Sequence, residues 1–111
     1  MADRLIKVRE QGRLVTRGLT ALSSYHARLP LDCDDTVTVT VDWTAWLGGD
    51  TISSVTNEPT SCAVANESNT TKRATFNVSS APGFIEHRIT TANGQTKELL
   101  IEVGSAGMVR S

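Results

Sequence analysis

From Thr36 to Trp43 the chain alternates without a fault. Val37, Val39, Val41 and Trp43 fall on one side, and Thr36, Thr38, Thr40 and Asp42 on the other. A period of two is the signature of a β-strand with one buried and one wetted face. The same reading predicts strands over residues 51–57, 61–65, 73–78, 84–91 and 96–103. Turn-forming stretches separate them: Gly48-Gly49-Asp50, Glu58-Pro59, the polar run NESNTTK and the connector SSAPG. No convincing helix interrupts this part of the chain.

The last two strands allow a register to be predicted. Asn93-Gly94 signals a hairpin. A two-residue loop would set Ile85 opposite Glu102 and mix faces along the whole ladder, because the side-chain period is two. A three-residue loop, Ala92-Asn93-Gly94, sets Ile85 opposite Ile101 and His87 opposite Leu99, with Val103 on the same face. The expectation is a type I turn followed by Gly94 in the left-handed conformation as a G1 bulge.

Six short strands with frequent turns predict an all-β fold: an immunoglobulin-like antiparallel β-sandwich preceded by an N-terminal basic arm. Cys33 and Cys62 flank Trp43, but the second cysteine comes too soon for an antibody domain, so the likeness is one of architecture. Three segments are expected: a docking arm and joint over 1–30, the sandwich over 31–105, and a tail over 106–111.

The arm reads two ways. Leu5, Val8, Gly12, Val15, Leu19 and Leu22 follow the 3-4 spacing of a helix. Gly12 and Gly18 each cost a helix about 1 kcal/mol, and "RLIKV" and "RLVTR" fit an extended hairpin that pairs Val8 with Val15. In either form its aliphatic residues need something to pack on.

Charge sharpens this division. The formal net charge is −1, but residues 1–28 carry Arg4, Lys7, Arg9, Arg13, Arg17 and Arg28 against Asp3 and Glu10, and the remainder is acidic. Such asymmetry suggests an interaction arm. No apolar run approaches the ~20 residues of a membrane helix. The N-terminus lacks the apolar block of a signal peptide. The expectation is therefore a protein outside the membrane and outside the secretory route, and the N-x-[ST] triplets at Asn66, Asn69 and Asn77 carry little weight.

Candidate chemistry is sparse. His87 falls on the inner face with Ile85 and Ile89, where a satisfied core histidine is expected. His26 has no partner in sequence. "LDCDDT" gathers carboxylates and a thiol, but it lacks the Gly and Glu of an EF-hand and the Cys and His ligands of zinc. No metal or cofactor is expected, and no acid, base and nucleophile converge on an enzyme's site. Cys62 reads as a small core residue, and Cys33 in its acidic loop as the candidate for an interchain disulfide. Nucleic acid is disfavoured as a partner, because the arm has one aromatic residue and the body is acidic. Trp43 reads as a core anchor. Trp46 either closes the sandwich under Gly48-Gly49 or belongs to a contact patch.

The run "VDWTAWLGGDTISSVT", with "HRITTANGQTKELLIEV" later, resembles a family of small immunoglobulin-like proteins of tailed bacteriophages described as fibre–tail adaptors. The first element is kept at Asp42 to Ile52. The second is kept at His87 to Thr96, with His87 in the place of the usual cysteine. With "SSYHARLPLDCDD" the likeness covers about residues 23–103 and leaves out the arm, and Cys33 stands where a turn former is expected. The resemblance implies a non-enzymatic structural protein of the virion, assembled in the host cytoplasm, that joins tail, neck or fibre components. The acidic body could accept the basic arm of another copy, so association of the chain with itself is also expected. Arg4, Lys7, Arg9, Arg13, Arg17 and Trp46 are the candidate partner-binding residues. Trp43, Gly48, Gly49, Asn93 and Gly94 are the structural ones. Two other readings compete: a capsid decoration or cement protein, and a carbohydrate- or receptor-binding module gripping through Trp46, Asn57 and the NESNTTK loop.

Overall fold

A computed structural model describes residues 4–31 and 34–104. Ten strands follow in order: β1 (Arg4–Val8), β2 (Leu14–Arg17), β3 (Thr20–Ser23), β4 (His26–Pro30), β5 (Thr36–Asp42), β6 (Ile52–Thr60), β7 (Ala63–Asn69), β8 (Arg73–Ser79), β9 (Gly83–Thr91) and β10 (Thr96–Gly104). One helical turn, α1 (Thr44–Leu47), follows β5, and a 3-10 turn over Glu10–Gly12 joins β1 to β2. The strands form two five-stranded sheets, β2-β1-β5-β8-β7 and β3-β4-β10-β9-β6, packed as a sandwich. All six strands expected beyond residue 35 are present. β6 runs on through Pro59, where a stop was expected, and β7 runs to Asn69 through half of the expected polar loop. Both are edge strands, which tolerate proline and polar side chains.

The sandwich is as the alternation predicts, but the sheets are mixed rather than purely antiparallel. β1 lies parallel to β5, and β4 lies parallel to β10. Both parallel pairs come from residues 4–30, which give two strands to each sheet. Five strands face five, against the four and three of an immunoglobulin constant domain. The likeness therefore stays at the level of the sandwich.

Residues 4–17 are extended. β1 and β2 form a hairpin whose register pairs Lys7 with Val15 and Val8 with Leu14, one residue away from the expected Val8–Val15 pair. The 3-10 turn takes up the difference. Ile6 and Val8 thereby face inward and are fully buried, while Leu5, Lys7, Val15 and Arg17 face outward. The helical spacing arises because strand residues on alternate faces, interrupted by a turn, happen to fall three and four apart.

Between the sheets lie Ile6, Val8, Leu29, Val39, Val41, Trp43, Phe76, Ile85, Ile89, Leu99 and Ile101, none with exposed surface. Each contributes roughly 1.5–3 kcal/mol of burial free energy. The hairpin register is the one expected: Ile85 opposes Ile101, His87 opposes Leu99, and Val103 is buried beside them. The Gly94 N–H donates to the Thr91 carbonyl, and Gly94 has φ of 87°.

Two glycines in left-handed backbone should respond differently to a methyl group. Gly94 has open space around it, so Gly94→Ala should cost only the backbone strain, about 1–2 kcal/mol. At Gly12 (φ 80°) a Cβ would run into the Tyr25 ring. Gly12→Ala should therefore cost about 3 kcal/mol or more, adding overpacking to strain. Urea denaturation of both variants checks the order, and equal losses would show that Tyr25 yields freely.

Candidate partner interface and the core that supports it

The two stretches that carry the resemblance meet in space. Trp43 directly follows β5 of the first sheet, and His87 stands on β9 in the second. Trp43 Nε1–H donates to His87 Nε2 across the core at 3.1 Å. An indole N–H only donates, so Nε2 carries a lone pair and Nδ1 carries the proton. Nδ1–H then donates to Asn57 Oδ1 on β6 at 2.6 Å, and Asn57 Nδ2–H donates to Glu67 Oε1 on β7 at 3.0 Å. A directed chain of hydrogen bonds thus runs from the core to the sandwich edge. The His87 ring stacks between Trp43 and Phe76, with centroids 5.8 and 5.5 Å away. Burial pushes its imidazole down to about 3. It is the satisfied core histidine that its inward position predicts, and its neutrality fits it poorly for proton transfer near pH 7.

Asp42 organises the turn that follows. Its Oδ1 accepts from the Thr44 N–H at 2.9 Å, and its Oδ2 faces Arg73 Nε at 3.5 Å. Burial raises its pKa. The Thr44 hydroxyl and N–H, then the charges of Arg73 and Lys7, outweigh that and hold the carboxyl below its ordinary value. α1 then turns Leu47 into the core, and Gly48 (φ 62°) ends it. Gly49 is exposed in the loop that follows. The Asp50 carboxylate accepts from the Thr51 N–H at 2.8 Å. Its pKa is lowered first by the Thr91 hydroxyl, against some burial, and further by the Thr51 and Asn93 N–H groups. The Ala92 N–H donates to the Thr51 carbonyl. The Gly48-Gly49 loop and the Asn93-Gly94 turn are thereby tied to each other.

Trp46 is half-buried. It packs edge-on against Trp43, with centroids 5.3 Å apart, and its Nε1–H donates to the Tyr25 hydroxyl at 3.0 Å. Sequence reasoning missed the part played by Tyr25. Its N–H donates to the Gly12 carbonyl, its carbonyl accepts from the Leu100 N–H, and Lys97 Nζ lies 4.0 Å over its ring. Tyr25 therefore joins the N-terminal hairpin, α1 and β10. Its φ of 58° places it in a tight turn, a feature that a lone Tyr in a Ser-rich stretch does not advertise.

The basic residues collect on the outer face and rim of the first sheet. Lys7 sits between Val15 on β2 and Asp42 on β5, and Arg73 on β8 follows Asp42. Arg4, Arg17 and Arg73 line one cleft there with Lys7 and Asp42, and Arg9 joins Lys7, Asp42 and Arg73 in the next. Arg9 and Arg13 flank the 3-10 turn beside Ala45. Arg73 belongs to this surface although the arm reading left it out. Its place follows from pairing opposite Asp42.

The remaining candidates separate. His26 Nε2 meets Glu102 Oε2 at 2.6 Å on the outer face of the second sheet, a partner that lies far along the sequence. Cys62 is half-buried in the turn between β6 and β7, with its Sγ 3.6 Å from the Phe84 carbonyl, and burial pushes its thiol up. Cys33 and the 106–111 tail lie outside the described residues. Among the described residues no three His, Cys, Asp or Glu side chains gather as metal ligands, and no helix is long and apolar enough to cross a membrane.

The signature residues thus build a core and pin two loops beneath a charged outer face, which is the arrangement of a structural module. A protein-family model described as podophage GP4 fiber-tail adaptor protein gp77 matches residues 32–103. The chain belongs to that family, and is a structural adaptor of the phage fibre and tail. No curated protein and no solved structure matches it.

The His87 arrangement makes a pH prediction. The unfolded chain takes up a proton near the ordinary histidine value of 6.5, and the folded one only near 3. Stability should be fully present above pH 6.5 and fall as the pH drops toward 3, by about 1.4 kcal/mol per pH unit. Urea melts of wild type and His87→Gln between pH 7 and 5 isolate this slope, which the variant should lose. Trp43→Phe removes the N–H that Nε2 accepts and should cost about 1–3 kcal/mol at pH 7. A neutral effect would show that water replaces the indole.

Proposed function

We propose that the sandwich is a rigid spacer and that its basic outer face is the surface that joins it to neighbouring tail, neck or fibre proteins. The carrying observation is the crowding of Lys7, Arg17 and Arg73, with Arg4 and Arg9, about Asp42, the one carboxylate that lines these two clefts among the described residues. Arg13 extends this surface along the rim. Several cations around one acid make a positive field that steers acidic partners and weakens with salt. Trp46 braces the N-terminal hairpin through its hydrogen bond to Tyr25, whose N–H donates to the Gly12 carbonyl. This reading also has the chain associating with copies of itself in the particle, as a non-enzymatic component.

The carbohydrate-binding reading loses its support here. Its aromatic residue, Trp46, is half-buried and hydrogen-bonded to Tyr25, and Asn57 is held between His87 and Glu67. A capsid cement role finds no specific observation in its favour.

Gold-labelled antibody against the sandwich, imaged on purified particles, checks the location. Label at the tail pole is expected. Label spread over the capsid would replace the adaptor role with a decorating one. Lys7→Glu with Arg17→Glu should lower incorporation into particles at least about tenfold while leaving the fold intact by circular dichroism. Unchanged incorporation would remove the basic face from the mechanism.

A further inference from the structure

The two outer faces of the sandwich differ in a complementary way. On the first sheet, Val15 is 49% exposed and sits beside Lys7, while Leu5 sits beside Arg17. This is an apolar centre set among cations. On the second sheet, Phe84 is 43% exposed and lies opposite Glu102, and half-buried Leu100 lies opposite Glu86. This is an apolar centre set among acids. The groove over it, about 680 Å³, is lined by Phe84, Leu100, Pro82, Glu86, Glu102 and Arg28.

A second observation points to something missing from that face. Glu58 on β6 stands directly opposite Glu86 on β9. Like charges facing each other across a ladder are destabilising. Among the described residues neither glutamate has an ion-pair partner, whereas Glu98 pairs with Arg88 and Glu102 is hydrogen-bonded to His26. Arg28 is the one cation lining the groove, and its ladder neighbour is Glu102, not the Glu58–Glu86 pair. A cationic surface laid on this face would relieve that repulsion, and the molecule carries such a surface on its other side.

We propose that a second copy of this chain is the occupant: its Lys7–Val15–Arg17 face docks on the Glu58–Glu86–Phe84 face of its neighbour. The two patches are different, so the contact is heterologous and propagates head to tail, closing into a ring where the rotation permits. The apolar centres supply the buried core of the contact and the charges set its register. This rests on the reading of the basic face as the joining surface, and names the partner that the face takes.

The test uses the full-length chain in sedimentation velocity at low salt. Wild type should self-associate, and high salt should weaken association at least about tenfold. Two double variants, Lys7→Glu with Arg17→Glu and Glu58→Lys with Glu86→Lys, should each be monomeric. All four residues are outward-facing, and circular dichroism checks that both variants fold. Mixed together they should associate again in strict alternation, because the two unaltered faces match and the two charge-reversed faces match each other. Phe84→Ser, which changes no charge, should weaken wild-type association as well. A monomeric wild type, variants that associate as wild type does, or a mixture that stays monomeric would overturn the proposal. Gold label at the tail pole together with any of these results would leave the adaptor reading standing and remove only the self-docking.

Discussion

The fold turns on one hydrogen bond between its sheets. Trp43 follows directly on a strand of one sheet and His87 lies in the other, and their contact lies where no water reaches either ring. A buried indole N–H without an acceptor is costly, and so is a buried imidazole without partners. Each residue supplies what the other lacks, but only when the two sheets sit at one separation and one offset. Apolar side chains alone tolerate sliding and repacking. The Trp43–His87 pair does not, and Asn57 extends the constraint to the edge strand. The same geometry requires a neutral imidazole, so acid should act on the join between the sheets before it acts on either sheet.

From that point the rest of the signature can be understood as scaffolding. Asp42, one residue before the tryptophan, holds the Thr44 N–H and starts the single helical turn. That turn carries Trp46 back over Trp43 and toward Tyr25. Asp50 then ties the loop to the far hairpin through Thr91 and Asn93. A motif that looks like a binding site, with two tryptophans and two aspartates around a glycine pair, is occupied almost wholly with holding its own backbone.

What the sequence made legible follows from how local each signal is. The strand at Thr36 alternates over eight residues, and the face it predicts is the face it buries. The Ala92-Asn93-Gly94 loop could be chosen because only one loop length keeps Ile85, His87, Ile101 and Val103 together. The N-terminal hairpin was harder. Its buried set is short, Ile6 and Val8 on one strand, and a turn breaks the alternation before it can repeat. Apolar residues then fall at helical spacing by coincidence. The parallel pairing of β1 with β5 joins segments some thirty residues apart, and no pattern within either strand announces it. Asn57 and His87 sit at matching inward positions on neighbouring strands, but that is visible only once the register of β6 against β9 is known.

The surface and the signature therefore carry different information. The matched region, residues 32–103, contains the Trp43–His87 join, the helical turn and the hairpin, which this chain uses to hold its core together. The cations of β1 and β2 lie outside it. Yet β1 is laid against β5 by its own buried Ile6 and Val8, so it is held as firmly as the strands the family shares. A core-anchored strand gives its outward side chains fixed positions at little further entropic cost, whereas a loose tail would have to be ordered on contact. The chain thus presents a fixed pattern of charge beside the region that the family model matches. The scaffold fixes where Lys7, Val15 and Arg17 stand on the outer face.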